Sequence, residues 1–236
     1  MKMTLFVGTS GYSYKEWRGT FYPESLGDKE MLKYYGQRLP AVEINNTFYR
    51  LPNTQMLQTW ANQVPDSFRF VLKASRKITH MKALKDKAKE TSYLVETSKT
   101  LGARLGAILF QLPPYLRKDL ELLSSFLAIL PDDVRTAFEF RHRSWLDEAV
   151  YDLLRSKGCA LCCSDAENEE LSQLVQTANW GYLRLRQKQY ADEDLQTWAD
   201  RIGLQNWEQV YVFFKHEAEA TGPKLAQRFI VIAHHD

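Results

Sequence analysis

The chain has 236 residues, and 31 Lys plus Arg face 29 Asp plus Glu, which gives a formal net charge of +2. Apolar residues make up 44% and charged residues 25%, which is typical of a globular protein and excludes disordered, collagen-like and coiled-coil chains. A net charge of +2 also excludes a basic coat for nucleic acid, so electrostatic attraction must come from a local patch.

Neither a targeting signal nor a cysteine-based site is expected from the sequence. The longest early apolar run, residues 3–8, is too short for a signal peptide or for a membrane span of about 20 residues. We therefore expect a cytoplasmic protein with no membrane partner. Cys159, Cys162 and Cys163 lie in one run with no second Cys or His pair nearby, so we expect buried thiols rather than disulfides or a zinc site.

Short apolar runs alternate with amphipathic stretches from one end of the chain to the other. Eight runs are rich in Val, Ile, Leu, Phe and Tyr and are bounded by Gly or Pro, which predicts buried strands. These predicted strands cover residues 3–8, 42–48, 68–75, 105–112, 136–142, 160–165, 181–186 and 210–216.

Helical patterns fill the intervals between these strands. The predicted helices cover residues 28–39, 54–63, 86–101, 119–130, 149–157, 169–177, 192–202 and 223–232. Asn53 is the expected N-cap of the second helix. Ser144 and Asp147 match a capping-box pattern before the fifth helix, and Gly158 supplies its C-terminal stop.

Eight strands, each followed by a helix, require a parallel sheet with helical crossovers. Closing eight such units predicts a single-domain (β/α)8 TIM-like barrel over residues 1–236, and about 250 residues is a typical length for that fold. A doubly wound open sheet is the alternative, but it rarely needs eight strands in a chain of this size.

Polar side chains are expected at the C-terminal ends of seven successive strands, where TIM barrels carry their active sites. Side chains alternate along a strand, so the apolar positions identify the helix-facing side, to which Phe48 is assigned. The inward set is then Glu43, Asn45, Thr47, Lys73, Ser75, Gln111, Glu139, Arg141, Cys163, Asp165, Arg184, Arg186, Lys215 and Glu217.

Two explanations fit such a cluster. Buried ions cost several kcal/mol unless they are paired. The first explanation is therefore a structural network in which carboxylates neutralise the nearby Lys and Arg side chains. The second is a functional site, favoured because cations outnumber carboxylates and come from many strands. Arg141, Arg184 and Arg186 then predict contacts to a small phosphate- or carboxylate-bearing ligand.

Residue chemistry suggests roles within this site. The predicted catalytic residues are Glu43, Lys73, Glu139 and Asp165. The carboxylates would act as acid or base, and Lys73 as a base or Schiff-base nucleophile if its pKa is lowered, with an ion pair to Glu43 or Glu139 as the alternative. The remaining predicted ligand contacts are Ser10, Tyr12, Asn45, His80, Gln111, His142, Trp145 and Lys215.

The segment after the first strand, residues 9–27, is longer than most βα loops. Its aromatic residues would either stack on a ligand or pack the loop onto the barrel rim. The backbone amides of residues 8–11 could also cradle an anion.

Other classes of function stay open at this point. Glu43, Glu139 and Asp165 could hold Mg²⁺ or Mn²⁺ in a metal-dependent nuclease or sugar isomerase, although their cationic neighbours count against it. A non-catalytic module for nucleic acid or another ligand is a further alternative. No motif requires a cofactor. Strands four and seven carry Gln111 and Arg184, which disfavours a barrel glycosidase. The oligomeric state is left open.

Several segments together resemble the YecE-like family, also called the domain of unknown function 72 family. The resemblance rests on residues 8–17 (Gly-Thr-Ser-Gly-Tyr-Ser-Tyr-Lys-Glu-Trp), 21–23 (Phe-Tyr-Pro), 43–52, 70–80, 109–114 and 139–145, and it covers essentially the whole chain. It implies a TIM-barrel-like fold and no established activity.

Two segments depart from the pattern of that family. Strand seven ends in Arg-Leu-Arg-Gln at residues 184–187, where the family usually has Arg-Leu-His-Gly. Residues 215–217 read Lys-His-Glu, where an Asn-Asn-Asp-like run is usual. Both departures make the predicted rim more basic and suggest a different ligand preference.

Overall fold

Eight parallel strands close into a barrel in sequential order, from β1 beside β2 round to β8 beside β1. The computed structural model describes residues 3–165, 173–187, 189–215 and 218–233. The strands are β1 (Thr4–Ser10), β2 (Ala41–Ile44), β3 (Arg69–Lys73), β4 (Leu105–Gln111), β5 (Thr136–Glu139), β6 (Ala160–Ser164), β7 (Trp180–Leu185) and β8 (Gln209–Phe214). The predicted (β/α)8 barrel is confirmed.

Helices surround this barrel. They are α1 (Met31–Gly36), α2 (Thr54–Ala61), α3 (Arg76–Thr79), α4 (Ala88–Ser98), α5 (Leu120–Ala128), α6 (Glu148–Ser156), α7 (Asp192–Gly203) and α8 (Thr221–Ala233). The short helix α3 was not predicted. No helix in the described ranges is both long and apolar enough to cross a membrane.

Alternating side chains divide the core into an interior and an outer layer, as expected for a barrel. The interior is filled mainly by Phe6, Ala41, Val71, Ala107, Leu109, Ala137, Ala160, Cys162, Trp180, Tyr182, Tyr211 and Phe213. The other face of the strands packs against the helices in two larger apolar clusters. The three cysteines are buried free thiols, as predicted.

Two strands end earlier than their apolar patterns indicate. β2 stops at Ile44 because Asn45 takes a helical backbone conformation and begins a 3-10 turn at Asn46–Phe48. Thr47 stabilises this turn, donating its hydroxyl to the carbonyls of Ile44 and Lys73. β5 similarly ends at Glu139 rather than residue 142. The apolar and aromatic residues that prolonged the predicted strands belong to connections at the barrel mouth.

The predicted helix over residues 169–177 is wrong where it can be compared. Residues 173–177 are not helical, and residues 169–172 lie outside the described ranges. The hydroxyl of Thr177 donates to the Cys159 carbonyl and accepts from the Leu161 amide, which ties this segment to β6.

Helix capping follows the sequence signals with one correction. Asn53 caps α2 by accepting from the Met56 amide, as predicted. Asp147 alone caps α6, through the Ala149 amide. Ser144, assigned to a capping box with Asp147, instead accepts from the Lys118 amide.

Aromatic packing organises the long loop after β1. Trp17 and Tyr22 are buried and stack with ring centroids 6.0 Å apart, while Phe21 contacts both rings edge-on. Tyr12 packs with its ring 6.2 Å from Tyr35, and burial raises its pKa to about 12. These are the contacts of a loop packed onto the barrel rim, the second of the two alternatives for this segment.

A close backbone approach between β1 and β2 makes Gly8 indispensable. A Cβ atom at Gly8 would lie 1.8 Å from the carbonyl oxygen of Ala41, its register partner. Gly8→Ala is therefore expected to lower the free energy of unfolding by about 3 kcal/mol or more, because backbone cannot yield as a flexible side chain does. Urea denaturation followed by circular dichroism measures this.

Gly203→Ala is the matched control, since nothing lies within 4 Å of a Cβ at the end of α7. It should be neutral or stabilise by up to about 1 kcal/mol. Equal stability of Gly8→Ala and wild type would contradict the tight β1–β2 contact.

Candidate functional site

Arg184 lies at the centre of the barrel mouth between two glutamates. Its Nη2 is 2.7 Å from Glu43 Oε1, and its Nη1 is 2.6 Å from Glu139 Oε2. Arg184 is 1% exposed, Glu43 is fully buried and Glu139 is 2% exposed. The guanidinium of Arg184 on β7 therefore bridges the carboxylates of β2 and β5 inside the barrel.

Three neutral side chains complete the hydrogen bonding of these carboxylates. Tyr182 donates its hydroxyl to Glu43 Oε2 at 2.6 Å, and Asn45 donates to Glu43 Oε1 at 3.1 Å. Gln111 donates to Glu139 Oε2 at 2.8 Å. Asn45 and Gln111 lie where the sequence analysis placed them. It missed Tyr182, although its position two residues before Arg184 puts it on the same face of β7.

Both carboxylates stay ionised despite their burial. Burial alone raises the pKa of Glu43 and Glu139, but the charges of Arg184 and Arg186 together with hydrogen bonds to the carboxylates outweigh it and lower both pKa values below the ordinary range. Hydrogen bonds from Tyr182 to Glu43 and from Gln111 to Glu139 act in the same direction. Neither glutamate holds a proton at neutral pH, so neither is a general acid in the unliganded protein.

Two further arginines share Glu139. The Arg141 Nε donates to Glu139 Oε1 at 3.1 Å, and the Arg186 Nη1 lies 3.9 Å from the same oxygen. The Arg141 side chain is 37% exposed, so it faces the solvent at the mouth. Burial and the Arg184 charge lower the pKa of Arg186, which reflects the crowding of positive charge.

Lys73 adds a fourth cation at the end of β3. Burial and the Arg184 charge lower its pKa to about 8, against the raising influence of Glu43 and Glu139. Its Nζ lies 4.3 Å from the Phe48 ring centroid, and no carboxylate of the described residues is within 4.0 Å of it. The predicted alternative of a simple ion pair is therefore wrong.

Phe48 and His80 form a wall beside Lys73. The Phe48 ring was assigned to the helix-facing side, but the turn after β2 carries it to the mouth. The His80 ring contacts it edge-on at 5.0 Å, and the His80 Nδ1 is 2.9 Å from Thr79 Oγ1. Burial and the charges of Lys73 and Arg141 lower the pKa of His80 below its ordinary value, which favours the neutral imidazole.

Unpaired buried polar atoms gather at the same end of the barrel. Ser10 is 2% exposed and aligned with Glu43, yet its Oγ has no hydrogen-bond partner in the described part of the chain. The Nε atoms of Arg184 and Arg186 are likewise unpartnered there. Each such atom costs about 1–3 kcal/mol unless a ligand or water satisfies it. Three of the unpartnered buried side-chain atoms of the described residues therefore lie on strands or connections that form the barrel mouth.

The predicted anion cradle in residues 8–11 is largely occupied by the protein itself. The Thr9 amide donates to the Tyr35 hydroxyl, and the Gly11 amide donates to the Glu43 carbonyl. These bonds hold β1 beside α1 and β2, so both amides already have partners within the fold.

Asp165 lies away from the cluster, and the predicted phase of β6 is wrong. Ser164 is in register with Arg184, and Cys162 belongs to the interior, so Cys163 and Asp165 point the other way. Asp165 accepts hydrogen bonds from the Arg186 amide at 2.6 Å and from the Tyr190 hydroxyl. It therefore orders the chain after β7.

Three other predicted ligand contacts lie in connections after the strands. His142 Nδ1 accepts from the Ser144 amide and caps a 3-10 turn. Trp145 is buried, stacks on Phe140 and donates its indole N–H to the Leu116 carbonyl. Lys215 is exposed, and its amide donates to the Leu185 carbonyl, while Glu217 lies outside the described ranges.

The described carboxylates Glu43, Glu139 and Asp165 are poorly placed to share a metal ion. Arg184 stands between Glu43 and Glu139, and Asp165 is turned away from both. Within the described ranges, no three His, Cys, Asp or Glu side chains come together as a metal-binding group. The donor set thus fits an arginine-bridged pair better than a divalent cation.

The closed barrel with a charged mouth places the chain in the TIM-barrel class of α/β proteins. Within that class it belongs to the DUF72 family, described as "Protein of unknown function DUF72", whose family model matches residues 6–236. The resemblance found in the sequence is therefore confirmed.

Relatives and solved structures agree with this assignment. The chain is 29% identical over 155 residues to UPF0759 protein YecE of Escherichia coli K12, and 24% identical over 156 residues to UPF0759 protein YunF of Bacillus subtilis. These matches cover 65% and 63% of the chain and 54% of each relative, so they span about half of those proteins.

The crystal structure of the DUF72 family protein TM1631 from Thermotoga maritima matches with a TM-score of 0.84 and 25% identity, covering 98% of this chain and 99% of that one. A DUF72 protein from Enterococcus faecalis matches with a TM-score of 0.81 and 16% identity, covering 98% of this chain and 96% of that one. The second likeness concerns the fold alone.

Proposed function

We propose that the barrel mouth binds a small anionic ligand that carries a phosphate or carboxylate group, with Arg141 and Arg186 as its main contacts. The observation that carries this proposal is the charge balance of the cluster. Four cationic side chains, Lys73, Arg141, Arg184 and Arg186, face only two carboxylates, and Arg184 already engages both. An anion would balance the excess positive charge and satisfy unpaired arginine donors.

The same geometry indicates which role each residue would take in catalysis. Glu43 and Glu139 hold the arginines in place, since their lowered pKa values keep them ionised. Lys73, whose pKa is about 8, is the group best suited to move a proton near neutral pH. A protein that binds the anion without catalysis would use the same cationic side chains. An assay for turnover of a bound ligand therefore distinguishes an enzyme from a binding module.

Removing Arg141 tests the anion site. Arg141→Ala is expected to weaken phosphate or citrate binding by about ten- to a hundredfold, because a hydrogen bond between charged groups contributes about 1.5–3 kcal/mol. Isothermal titration calorimetry at low ionic strength measures the affinity, with a panel of sugar phosphates, nucleotides and carboxylates to rank ligands.

The matched control is Arg155→Ala, which removes the same charge from the outer surface of α6, where Arg155 pairs with Glu148 and Asp152. This variant should bind anions as the wild type does. Unchanged affinity in Arg141→Ala, or an equal loss in both variants, would count against a site at the barrel mouth.

A further inference from the structure

The amine of Lys73 stands out because it is partly buried and forms no salt bridge with any described residue. Lysine is rarely buried unless it is paired. Its Nζ lies 4.3 Å from the centroid of the Phe48 ring, and no carboxylate in the described ranges lies within 4.0 Å of it. The structure thus holds a primary amine at the mouth without committing it to a salt bridge.

The groups that face Lys73 favour its neutral form. Burial and the charge of Arg184 on β7 lower its pKa to about 8, and Arg141 after β5 acts in the same direction. Glu43 on β2 and Glu139 on β5 oppose this. About a tenth of Lys73 is therefore the free amine at pH 7, roughly 300-fold more than for a lysine with a pKa of 10.5.

Two arginines, Arg184 and Arg141, lie near enough to this amine to lower its pKa. Arg141 is close enough to influence the pKa values of both Lys73 and His80, and Arg186 shares Glu139 with Arg141. A ligand whose phosphate or carboxylate meets these arginines would present its uncharged portion to the Lys73 amine. An amine beside an anion site is the arrangement needed for a nucleophile acting on a carbonyl compound.

We propose that Lys73 forms an imine with an anionic aldehyde or ketone bound at the barrel mouth. This inference rests on the proposed function, because the anion site positions the carbonyl group. The lone pair of Nζ attacks the carbonyl carbon, and the C=O bond becomes a hydroxyl group. That hydroxyl leaves as water, with one hydrogen from Nζ and one proton from solvent, and the product is an iminium ion.

Reductive trapping tests the imine on the full chain. Glycolaldehyde phosphate and glyoxylate serve as phosphate and carboxylate probes, with cyanoborohydride to reduce the imine and peptide mass mapping to locate it. Lys73 should be labelled at least about tenfold faster than Lys99 by one or both probes, because Lys99 is held protonated by Asp133 and Glu96. The faster probe identifies the preferred anionic group.

Three comparisons separate this inference from general lysine reactivity. Neutral glycolaldehyde should favour Lys73 over Lys99 less strongly than the anionic probes do, because only the lowered pKa of Lys73 then acts. Inorganic phosphate should slow labelling of Lys73 by the anionic probes, and Lys73→Arg should lose that adduct. The labelling rate of Lys73 should level off above about pH 8, while labelling of exposed lysines continues to rise.

The failure modes are distinct. Uniform labelling of Lys73 and surface lysines, combined with phosphate binding in calorimetry, would overturn the imine and retain the anion site. Uniform labelling without phosphate binding would overturn both proposals. Preferential Lys73 labelling that phosphate does not slow would overturn the positioning of the carbonyl by the anion site.

Discussion

Arg184→Met is expected to lower the free energy of unfolding by about 3–5 kcal/mol, the usual consequence of removing one partner from a buried ion pair. The guanidinium is the shared counter-ion of Glu43 and Glu139, at 2.7 and 2.6 Å, and all three side chains are buried. Methionine fills a similar volume but leaves both carboxylates with less compensation. Guanidinium or urea denaturation at pH 7 measures the change.

A triple variant, Arg184→Met with Glu43→Gln and Glu139→Gln, should recover much of that loss. It removes both carboxylates together with their shared counter-ion, and a buried ion cluster is often replaced by neutral residues at little cost. The recovery is partial because Arg141 and Arg186 lose Glu139 as a partner. Arg228→Met is the surface control, because its pair with Asp192 is half exposed and such pairs contribute little. A triple variant no more stable than Arg184→Met would show that packing, not charge, dominates.

Acidification is expected to destabilise the wild type through the same two glutamates. Their folded pKa values lie below the ordinary value of 4.5, so the unfolded chain binds more protons once the pH falls below about 5. Their stabilising contribution is complete above that pH and is lost progressively as the pH falls toward the folded pKa values. Each carboxylate contributes a slope of up to about 1.4 kcal/mol per pH unit.

The triple variant isolates this contribution, because it lacks both carboxylates and keeps the other acidic residues of the chain. Urea unfolding from pH 7 to pH 3 should show a clearly steeper decline for the wild type than for the triple variant. Parallel declines would mean that Glu43 and Glu139 have ordinary pKa values in the folded protein.

Much of the site could be predicted from strand alternation. The side chains of Glu43, Gln111, Glu139 and Arg184 face the barrel interior near its mouth. They could be predicted because side chains alternate between the two faces of a strand up to its last regular residue. The repeat failed in β6, where the run of three small side chains at residues 162–164 provides no apolar contrast. Asp165 was therefore placed inside, whereas it binds Tyr190 and the Arg186 amide.

Connections beyond the strands were harder to predict. Phe48 looks like the outward end of a strand in sequence, but the helical backbone of Asn45 ends β2 and turns the ring toward Lys73. Trp145 was predicted to contact a ligand, but it is buried and stacks on Phe140. Neither outcome follows from a local pattern, because each depends on contacts between different segments of the chain.

The sequence by itself determined the eight-fold repeat of apolar strands and helices, and hence the barrel and the end at which its polar residues gather. Only the tertiary structure decided that Arg184 engages both glutamates while Lys73 engages neither. The periodic spacing of apolar residues is a local pattern, so it can be recognised in the sequence. Charge pairing depends on distances between β2, β3, β5 and β7, and barrel closure alone sets those distances.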